Sequence, residues 1–174
     1  MSNSNVGPMV SVATFDIDGS AIFDLVNECY GVEIGDSGLA FKRTPRMMDP
    51  KQEQWLNDYA EGRVLKISCE DGTGVDGVLF YEFQPEKESI FFGPFAVRKS
   101  FRNKGYGRML IAAMENIGRQ AGMKWTSLYN VNHRSDLSEL YAHLGFETLA
   151  ETVEYPVQER LTRPSHFIQL RRAL

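Results

Sequence analysis

The stretch SIFFGPFAVRKSFRNKGYGRMLIAAMENIGRQAG, residues 89–122, decides how this chain of 174 residues folds. Its first part, residues 90–97, is rich in aromatic and β-branched side chains, which predicts a strand. Gly93 and Pro94 interrupt that strand where a regular ladder needs a side chain and a hydrogen-bond donor. We therefore expect a β-bulge or a splay at this point of the sheet.

A basic turn and an amphipathic helix follow the strand. Residues 98–108 contain five basic side chains, although the whole chain has a formal net charge of -4. Leu110, Met114 and Ile117 then recur at helical spacing, and Gly122 occupies the position that ends a helix. Glycines at a helix start let backbone N–H groups approach an anion closely, and the helix dipole attracts it. The turn therefore predicts a pyrophosphate site. Its glycine spacing matches neither common phosphate loop, and a solvated basic turn is the alternative.

The composition predicts one ordinary globular domain, with 43% hydrophobic and 11% aromatic residues. An isoelectric point near 5.4 argues against nucleic acid or an anionic membrane as the main partner. Cys29 and Cys69 lack metal-site spacing, which favours reduced thiols in a cytoplasmic protein, with a disulfide as the alternative. Residues 1–9 are polar and predict a disordered tail ahead of a domain over residues 10–174. We expect a monomer or a homodimer without a metal.

The remaining patterns predict the element order β-α-α-β-β-β-α-β-α-β-β, an α/β fold with a mixed sheet. Asp18 or Ser20 is expected to cap the first helix, which ends at Gly31. A loop is predicted for residues 32–48, and a capping box for the last helix at residues 136–139. Because a strand, the central helix and a strand form a crossover unit, the strand at residues 125–131 should run parallel to the strand at 90–97.

Two motifs resemble those of the GNAT superfamily of N-acyltransferases. Residues 102–107, Arg-Asn-Lys-Gly-Tyr-Gly, resemble its acyl-CoA-binding signature Arg/Gln-x-x-Gly-x-Gly/Ala. Residues 140–146, LYAHLGF, match its Leu-Tyr-x-x-x-Gly-Phe at the expected separation. The resemblance extends over roughly residues 10–174 and implies a GNAT fold. That fold is a single domain with a mixed, mostly antiparallel sheet of about seven strands, four flanking helices and a splayed central parallel strand pair. Arg134 departs from the asparagine that many relatives carry at that place.

The resemblance implies an N-acetyltransferase that uses acetyl-CoA as co-substrate and acetylates a primary amine by direct attack. Tyr141 matches the general acid that protonates the leaving sulfur, and its alternative role is packing in the core. Glu82 is the nearest candidate for a general base, with a water relay as the alternative. The strand at residues 90–97 would offer its backbone to the pantetheine arm, and the basic turn would hold the pyrophosphate. The residues implied in acyl-CoA binding are Phe95, Ala96, Val97, Arg102, Asn103, Lys104, Gly105, Tyr106, Gly107, Arg108 and Asn132.

The acceptor is expected to be a small amine that also bears a carboxylate or a similar anion. Two loops predicted beside the acceptor carry basic side chains that could hold that anion, with Phe41 and Tyr30 lining the apolar part. The alternative is that these cations are solvated. Other function classes stay open: a protein or peptide acceptor, an acyl-CoA-binding module without turnover, and an interaction domain. The basic loop residues are Lys42, Arg43, Arg46, Arg160 and Arg163.

Overall fold

The computed structural model describes residues 7–36, 45–68 and 74–174, except for the side chains of residues 32–36. Within these ranges the order of strands and helices confirms the predicted one. The elements are β1 Met9–Val12, α1 Phe15–Asp36, α2 Glu53–Ala60, β2 Val64–Ser68, β3 Gly77–Gln84, β4 Ser89–Val97, α3 Tyr106–Gln120, β5 Trp125–Val131, α4 Ser135–His143, β6 Glu147–Glu154 and β7 His166–Ala173.

The seven strands form one sheet in the order β1-β2-β3-β4-β5-β7-β6. The strand pairs are antiparallel except for β4 and β5, which run parallel as the crossover connection requires. The predicted mixed, mostly antiparallel sheet of about seven strands with four helices is confirmed. In the described part of the chain, no helix combines the length and the hydrophobicity needed to cross a membrane.

The interruption in β4 produces the predicted bulge. Leu79 of β3 pairs with Phe95, but Tyr81 pairs with Phe92, so β4 holds one residue more than its partner over this interval. Gly93 lies inside the interval with φ 149°, a conformation that side chains rarely adopt. The extra residue reverses which face of the sheet each following side chain of β4 points to.

The same interruption accompanies the predicted splay. Pairing between β4 and β5 runs from Ser89 opposite Trp125 to Phe91 opposite Ser127, and β4 has no partner in β5 beyond that point. β5 instead continues its pairing with β7 as far as Val131. The two central strands therefore open at their carboxyl ends.

Two apolar clusters hold the sheet between the helices. On one face α3 packs Leu110 and Met114 against β4 and its neighbours. On the other face α1 and α2 pack against Phe80, which contacts Trp55 of α2 with ring centres 5.4 Å apart. Cys29 lies in this second cluster as a free, buried thiol, as predicted; Cys69 lies outside the described residues.

The first helix differs from the prediction at both ends. It begins at Phe15, one turn before the expected caps, because the Asp18 carboxylate reaches back to accept the Thr14 N–H at 2.9 Å. Asp18 is buried inside the helix and pairs with Lys66 Nζ at 2.6 Å. The helix also continues past Gly31 to Asp36, so it takes the start of the predicted loop; residues 37–44 of that loop lie outside the described residues. The predicted tail falls mostly on residues 1–6, also outside them, and β1 already begins at Met9.

The predicted capping box of the last helix is wrong. α4 begins at Ser135, so Asp136 lies in its first turn instead of preceding it. The Asp136 carboxylate accepts two hydrogen bonds from the Arg134 guanidinium, each at 2.8 Å, and these bonds hold its pKa below the usual range. A charged partner next to the helix start thus takes the side chain that would otherwise cap it.

We expect Tyr59→Phe to stabilise the protein by about 1 kcal/mol, because the Tyr59 hydroxyl is buried without a hydrogen-bond partner among the residues that the structure describes. Burial, followed by the negative charges of Asp18 and Asp58, raises the pKa of this hydroxyl. Urea unfolding measures the change. The control is Tyr81→Phe, which removes a hydroxyl that donates to the Gly62 carbonyl at 3.3 Å and should lower stability. A larger loss for Tyr59→Phe than for Tyr81→Phe contradicts the prediction.

Candidate active site

The glycine turn forms the start of α3. Gly105 precedes the helix with φ 87°, which is strained for any residue with a side chain. A Cβ at Gly107 would lie 3.0 Å from Cζ of Phe95 on β4 and 3.8 Å from Cγ2 of Val97. The absence of a side chain at Gly107 therefore lets β4 approach the first turn of the helix. This close approach is a reason for the glycine that the motif alone does not give.

The basic side chains at this turn are exposed. Arg102, Lys104 and Arg108 form no ion pair with a carboxylate among the residues that the structure describes. Arg102 Nε donates to the Val97 carbonyl at 3.0 Å, and Lys104 Nζ lies 5.2 Å from the centre of the Phe101 ring. Their charges add to the positive end of the α3 dipole, so the turn attracts an anion.

The backbone of β4 faces the opening beyond the bulge. The Phe95 N–H donates to the Tyr30 hydroxyl at 3.2 Å, and that hydroxyl donates to the Phe95 carbonyl at 3.4 Å. Because backbone direction alternates along a strand, the groups of Val97 also point to the opening, where Arg102 reaches them. Ala96, which pairs with Val78, directs its own backbone groups to β3, and it is both a member of the second apolar cluster and a lining residue of the cleft.

The opening is part of a cleft of about 1340 Å³. The cleft brings together most of the residues predicted from the sequence. Lys104 and Asn132 are not among its lining residues. The Asn132 side chain instead accepts the His166 N–H at 3.1 Å and so joins the end of β5 to β7. The predicted residues that line the cleft are Glu82, Phe95, Ala96, Val97, Arg102, Asn103, Gly105, Tyr106, Gly107, Arg108 and Tyr141.

Tyr141 lies in α4 and is held by aromatic neighbours. Its ring is in edge contact with Phe146 at 5.5 Å and with Phe92 at 6.3 Å between ring centres. The residue is 6% exposed, and it lines the cleft. Tyr141 thus packs in the core and also lines the cleft, so its predicted role as the general acid stays a prediction.

The acidic side of the cleft contains Glu82 and a residue that the sequence did not single out, Asp58. Glu82 is exposed on β3 and accepts a hydrogen bond from Gln84 Nε2 at 2.8 Å. Asp58 of α2 pairs with Arg63 Nη2 at 2.8 Å. Burial raises the Asp58 pKa, the Arg63 charge opposes that change, and the Glu82 charge adds to it. Asp58 has no motif around it, and only the packing of α2 on the sheet places it beside Glu82.

Two of the five predicted basic loop residues line the cleft. The guanidinium carbon of Arg46 lies 5.7 Å from the centre of the Tyr30 ring, and Arg160 Nη2 lies 2.9 Å from Sδ of Met48. Neither arginine pairs with a carboxylate in the ranges that the structure describes. Arg163 is exposed and does not line the cleft. The other predicted residues, Phe41, Lys42 and Arg43, lie outside the described residues.

The described residues contain no group of three or more His, Cys, Asp and Glu side chains that could hold a metal ion. The three histidines of the sequence lie in three different elements or loops and do not line the cleft. His133 Nε2 lies 3.1 Å from the Pro164 carbonyl, and His143 Nδ1 lies 2.7 Å from the Glu139 carbonyl. His166 belongs to β7 and does not line the cleft.

Comparison with known proteins finds an acetyltransferase domain within the sequence. Residues 63–148 match the model of the acetyltransferase (GNAT) domain. The matched range includes the glycine turn and Tyr141. An uncharacterized N-acetyltransferase of Bacillus subtilis, YycN, is 28% identical over 85 residues. That alignment covers 48% of this chain and 53% of the relative, so the chain matches about half the length of that protein.

Solved structures of acetyltransferases share the fold. The PaiA N-acetyltransferase of Thermoplasma acidophilum, solved with coenzyme A, has a TM-score of 0.72 at 13% identity. The superposition covers 96% of this chain and 99% of the PaiA chain. YncA of Salmonella typhimurium, a putative acetyltransferase solved with acetyl-CoA, has a TM-score of 0.66 at 16% identity, with 96% and 94% covered. At these identities the structures establish the fold alone. The match to the domain model over residues 63–148 identifies an acetyltransferase (GNAT) domain in the chain, and the fold of these acetyltransferase structures agrees with it.

Proposed function

We propose that this protein is an N-acetyltransferase that transfers the acetyl group of acetyl-CoA to the primary amine of a small molecule. The observation that carries this proposal is the opening between β4 and β5, where the backbone groups of Phe95 and Val97 on the side away from β3 meet no strand of the described sheet. The opening adjoins the glycine turn, whose cations Arg102, Lys104 and Arg108 have no carboxylate partner among the described residues. An extended pantetheine arm can add to the open edge of β4 as a short strand would, with its pyrophosphate at the start of α3.

Binding of the arm requires a change at Tyr30. In the structure its hydroxyl occupies both backbone groups of Phe95, which the arm would need. The incoming amide would replace this hydroxyl, so Tyr30 satisfies the half-buried backbone of Phe95 until the co-substrate arrives. The residue is well placed for that role because α1 packs directly on β4 and the ring lines the cleft.

The transfer itself requires few groups from the protein. The amine nitrogen attacks the thioester carbonyl, the carbon–sulfur bond breaks, the sulfur gains a proton and the nitrogen loses one. A backbone N–H at the open edge of β4 polarises the carbonyl oxygen. Tyr141 donates the proton to the sulfur, and Glu82 takes the amine proton either directly or through water. Both residues line the same cleft, Glu82 from β3 and Tyr141 from α4.

Binding of acetyl-CoA is the first test of the proposal. A ligand that binds only the folded protein at 100 times its Kd should stabilise it by about 2.7 kcal/mol, which raises the thermal midpoint. We expect this shift with acetyl-CoA and with CoA. Pantetheine, which lacks the pyrophosphate, should raise the thermal midpoint less. An unchanged midpoint at millimolar acetyl-CoA contradicts the proposal and favours an interaction domain.

The acceptor is proposed to carry an anion that Arg46 and Arg160 bind. Both guanidinium groups line the cleft and lack a carboxylate partner among the described residues, and a thioether sulfur is a weak acceptor for Arg160. A carboxylate would replace that contact with charge-assisted hydrogen bonds. A polyamine or a lysine-rich peptide would meet two uncompensated cations there, so these acceptors are disfavoured.

We expect Arg160→Gln to raise KM for an amino-acid acceptor by about 10-fold, with little change for its amide, because one charged hydrogen bond is lost. Steady-state kinetics with the amino acid and the amide measure the difference. Arg163→Gln is the control, since this arginine is exposed outside the cleft. Equal kcat/KM for the amino acid and the amide in the parent protein would show that no anion is recognised.

A further inference from the structure

Four aromatic rings form a continuous row across the second half of the sheet. Phe91 of β4 contacts Tyr129 of β5 with ring centres 5.0 Å apart. Tyr129 stacks on Phe167 of β7 at 5.2 Å and 12° between the ring planes, and Phe167 contacts Tyr155, just after β6, at 5.0 Å. We call these residues the four-ring row. They come from four separate segments, so only the folded sheet brings them together.

The four-ring row is not part of the hydrophobic core. None of its members belongs to either apolar cluster of the described residues, although Leu128 and Leu170, on the opposite face of the same strands, do. All four rings are half-buried, and all four line the cleft. Large apolar surfaces that a protein leaves in a concave site, and that its core does not need, commonly contact a ligand.

The row begins at the place where the proposed reaction occurs. Phe91 is the last residue of β4 that pairs with β5, so its ring lies at the mouth of the opening. Glu82, the candidate base, is the residue opposite Phe91 on β3. A carboxylate therefore lies at the head of the row, where it would attract the ammonium form of an acceptor before the amine loses its proton.

We propose that the four-ring row binds a planar aromatic group of the acceptor, whose amine points to Glu82 and the opening. This inference rests on the proposed function and narrows its substrate class to aryl-bearing primary amines. Aromatic rings gain from offset-stacked and edge contacts beyond the area that they bury. A saturated ring of similar size is at least as hydrophobic but gains no such contact, so the row discriminates between the two.

The experiment compares 2-phenylethylamine with 2-cyclohexylethylamine. Neither amine carries an anion, so the comparison does not depend on Arg46 or Arg160. One arm measures Kd by calorimetry on protein holding CoA, where no acetyl group is present and no reaction occurs. The other arm measures kcat/KM for thiol release from acetyl-CoA. We expect the aromatic amine to bind roughly 3- to 10-fold more tightly than the saturated one, with the same preference in kcat/KM.

Variants assign the preference to the row. Both Phe167→Leu and Tyr155→Leu should abolish the preference for the aromatic amine. Tyr155 lies in the loop after β6, so its substitution is less disruptive to folding than one within β7. Phe83→Leu is the control, because Phe83 is an exposed aromatic residue of β3 outside the cleft lining, and it should leave the preference unchanged.

Equal Kd values for the two amines in the parent protein, no detectable binding of either, or a preference that survives both row variants would overturn the inference. If other amines support thiol release and no aromatic preference is found, the proposed role of the four-ring row is refuted and the proposed acetyltransferase function is not. Absence of acetyl-CoA binding refutes the proposed function, and the calorimetric arm can then be run on the protein alone.

Discussion

Gly107→Val protein should bind acetyl-CoA at least about 100-fold more weakly than the parent, a loss of about 2.7 kcal/mol. A Cβ at this position would lie 3.0 Å from the Phe95 ring, and the two methyl groups of valine would approach further. The ring belongs to a residue of β4, so either the Phe95 ring or the strand edge at the opening must move away from α3. A shift of the strand edge disturbs both the backbone that would hold the pantetheine arm and the N–H groups that would meet the pyrophosphate.

The matched control is Gly31→Val. Gly31 is exposed in α1, and a Cβ there would meet no atom within 4 Å. Calorimetry on both variants, together with urea unfolding, separates loss of the site from loss of the fold. Parent-like affinity in Gly107→Val would exclude the glycine turn from acyl-CoA binding.

Tyr141→Phe is expected to lower the single-turnover rate of acetyl transfer on the order of 10²-fold, with nearly unchanged affinity for acetyl-CoA. Removal of the hydroxyl takes away the proposed proton donor. The ring contacts with Phe92 and Phe146 remain, so stability should change little. Single-turnover conditions are needed because product release limits many enzymes of this kind in the steady state.

Tyr59→Phe provides the matched control for this variant. It makes the same chemical change in a buried tyrosine that does not line the cleft. The transfer rate of Tyr59→Phe should equal that of the parent. An unchanged rate in Tyr141→Phe would restrict Tyr141 to packing and would leave water as the source of the proton.

The sequence could predict the centre of the fold because the deciding signals there are local. Gly93 and Pro94 interrupt the regular ladder of a strand whatever surrounds them, which is the basis of the predicted bulge and splay that the structure shows. Gly122 ends α3 with φ 77°, and the bonds from Gly122 to Arg119 and from Met123 to Gly118 are those of a glycine C-terminal motif. These signals require no knowledge of distant residues.

Other features depend on contacts between distant parts of the chain. The predicted start of α1 at Asp18 or Ser20 is wrong because Asp18 lies inside the helix as a buried partner of Lys66 on β2. In the sequence alone, an aspartate at that position is a typical N-cap residue. The pairing of Tyr30 with the Phe95 backbone has the same character, since nothing near either residue in the sequence indicates it.

Part of the candidate site could not be predicted either, because it also depends on contacts between distant parts of the chain. Asp58 is one charged residue among several on a short amphipathic helix, and only packing brings it to the cleft. The rings of the four-ring row are single aromatic residues on three different strands and in the loop after β6, and an aromatic residue is typical of any half-buried strand. Motifs locate the groups proposed to bind the co-substrate, whereas the proposed acceptor side consists of residues without a motif.

The most direct test measures the release of free CoA thiol from acetyl-CoA by the purified protein, with and without a panel of primary amines, amino acids and peptides. Mass spectrometry of the same samples identifies any acetylated product. An N-acetyltransferase of the proposed kind releases thiol in proportion to N-acetylated amine, and small aryl-bearing amines are the preferred acceptors. Saturable binding of acetyl-CoA without transfer to any amine in the panel would contradict the proposal and identify the protein as an acyl-CoA-binding module.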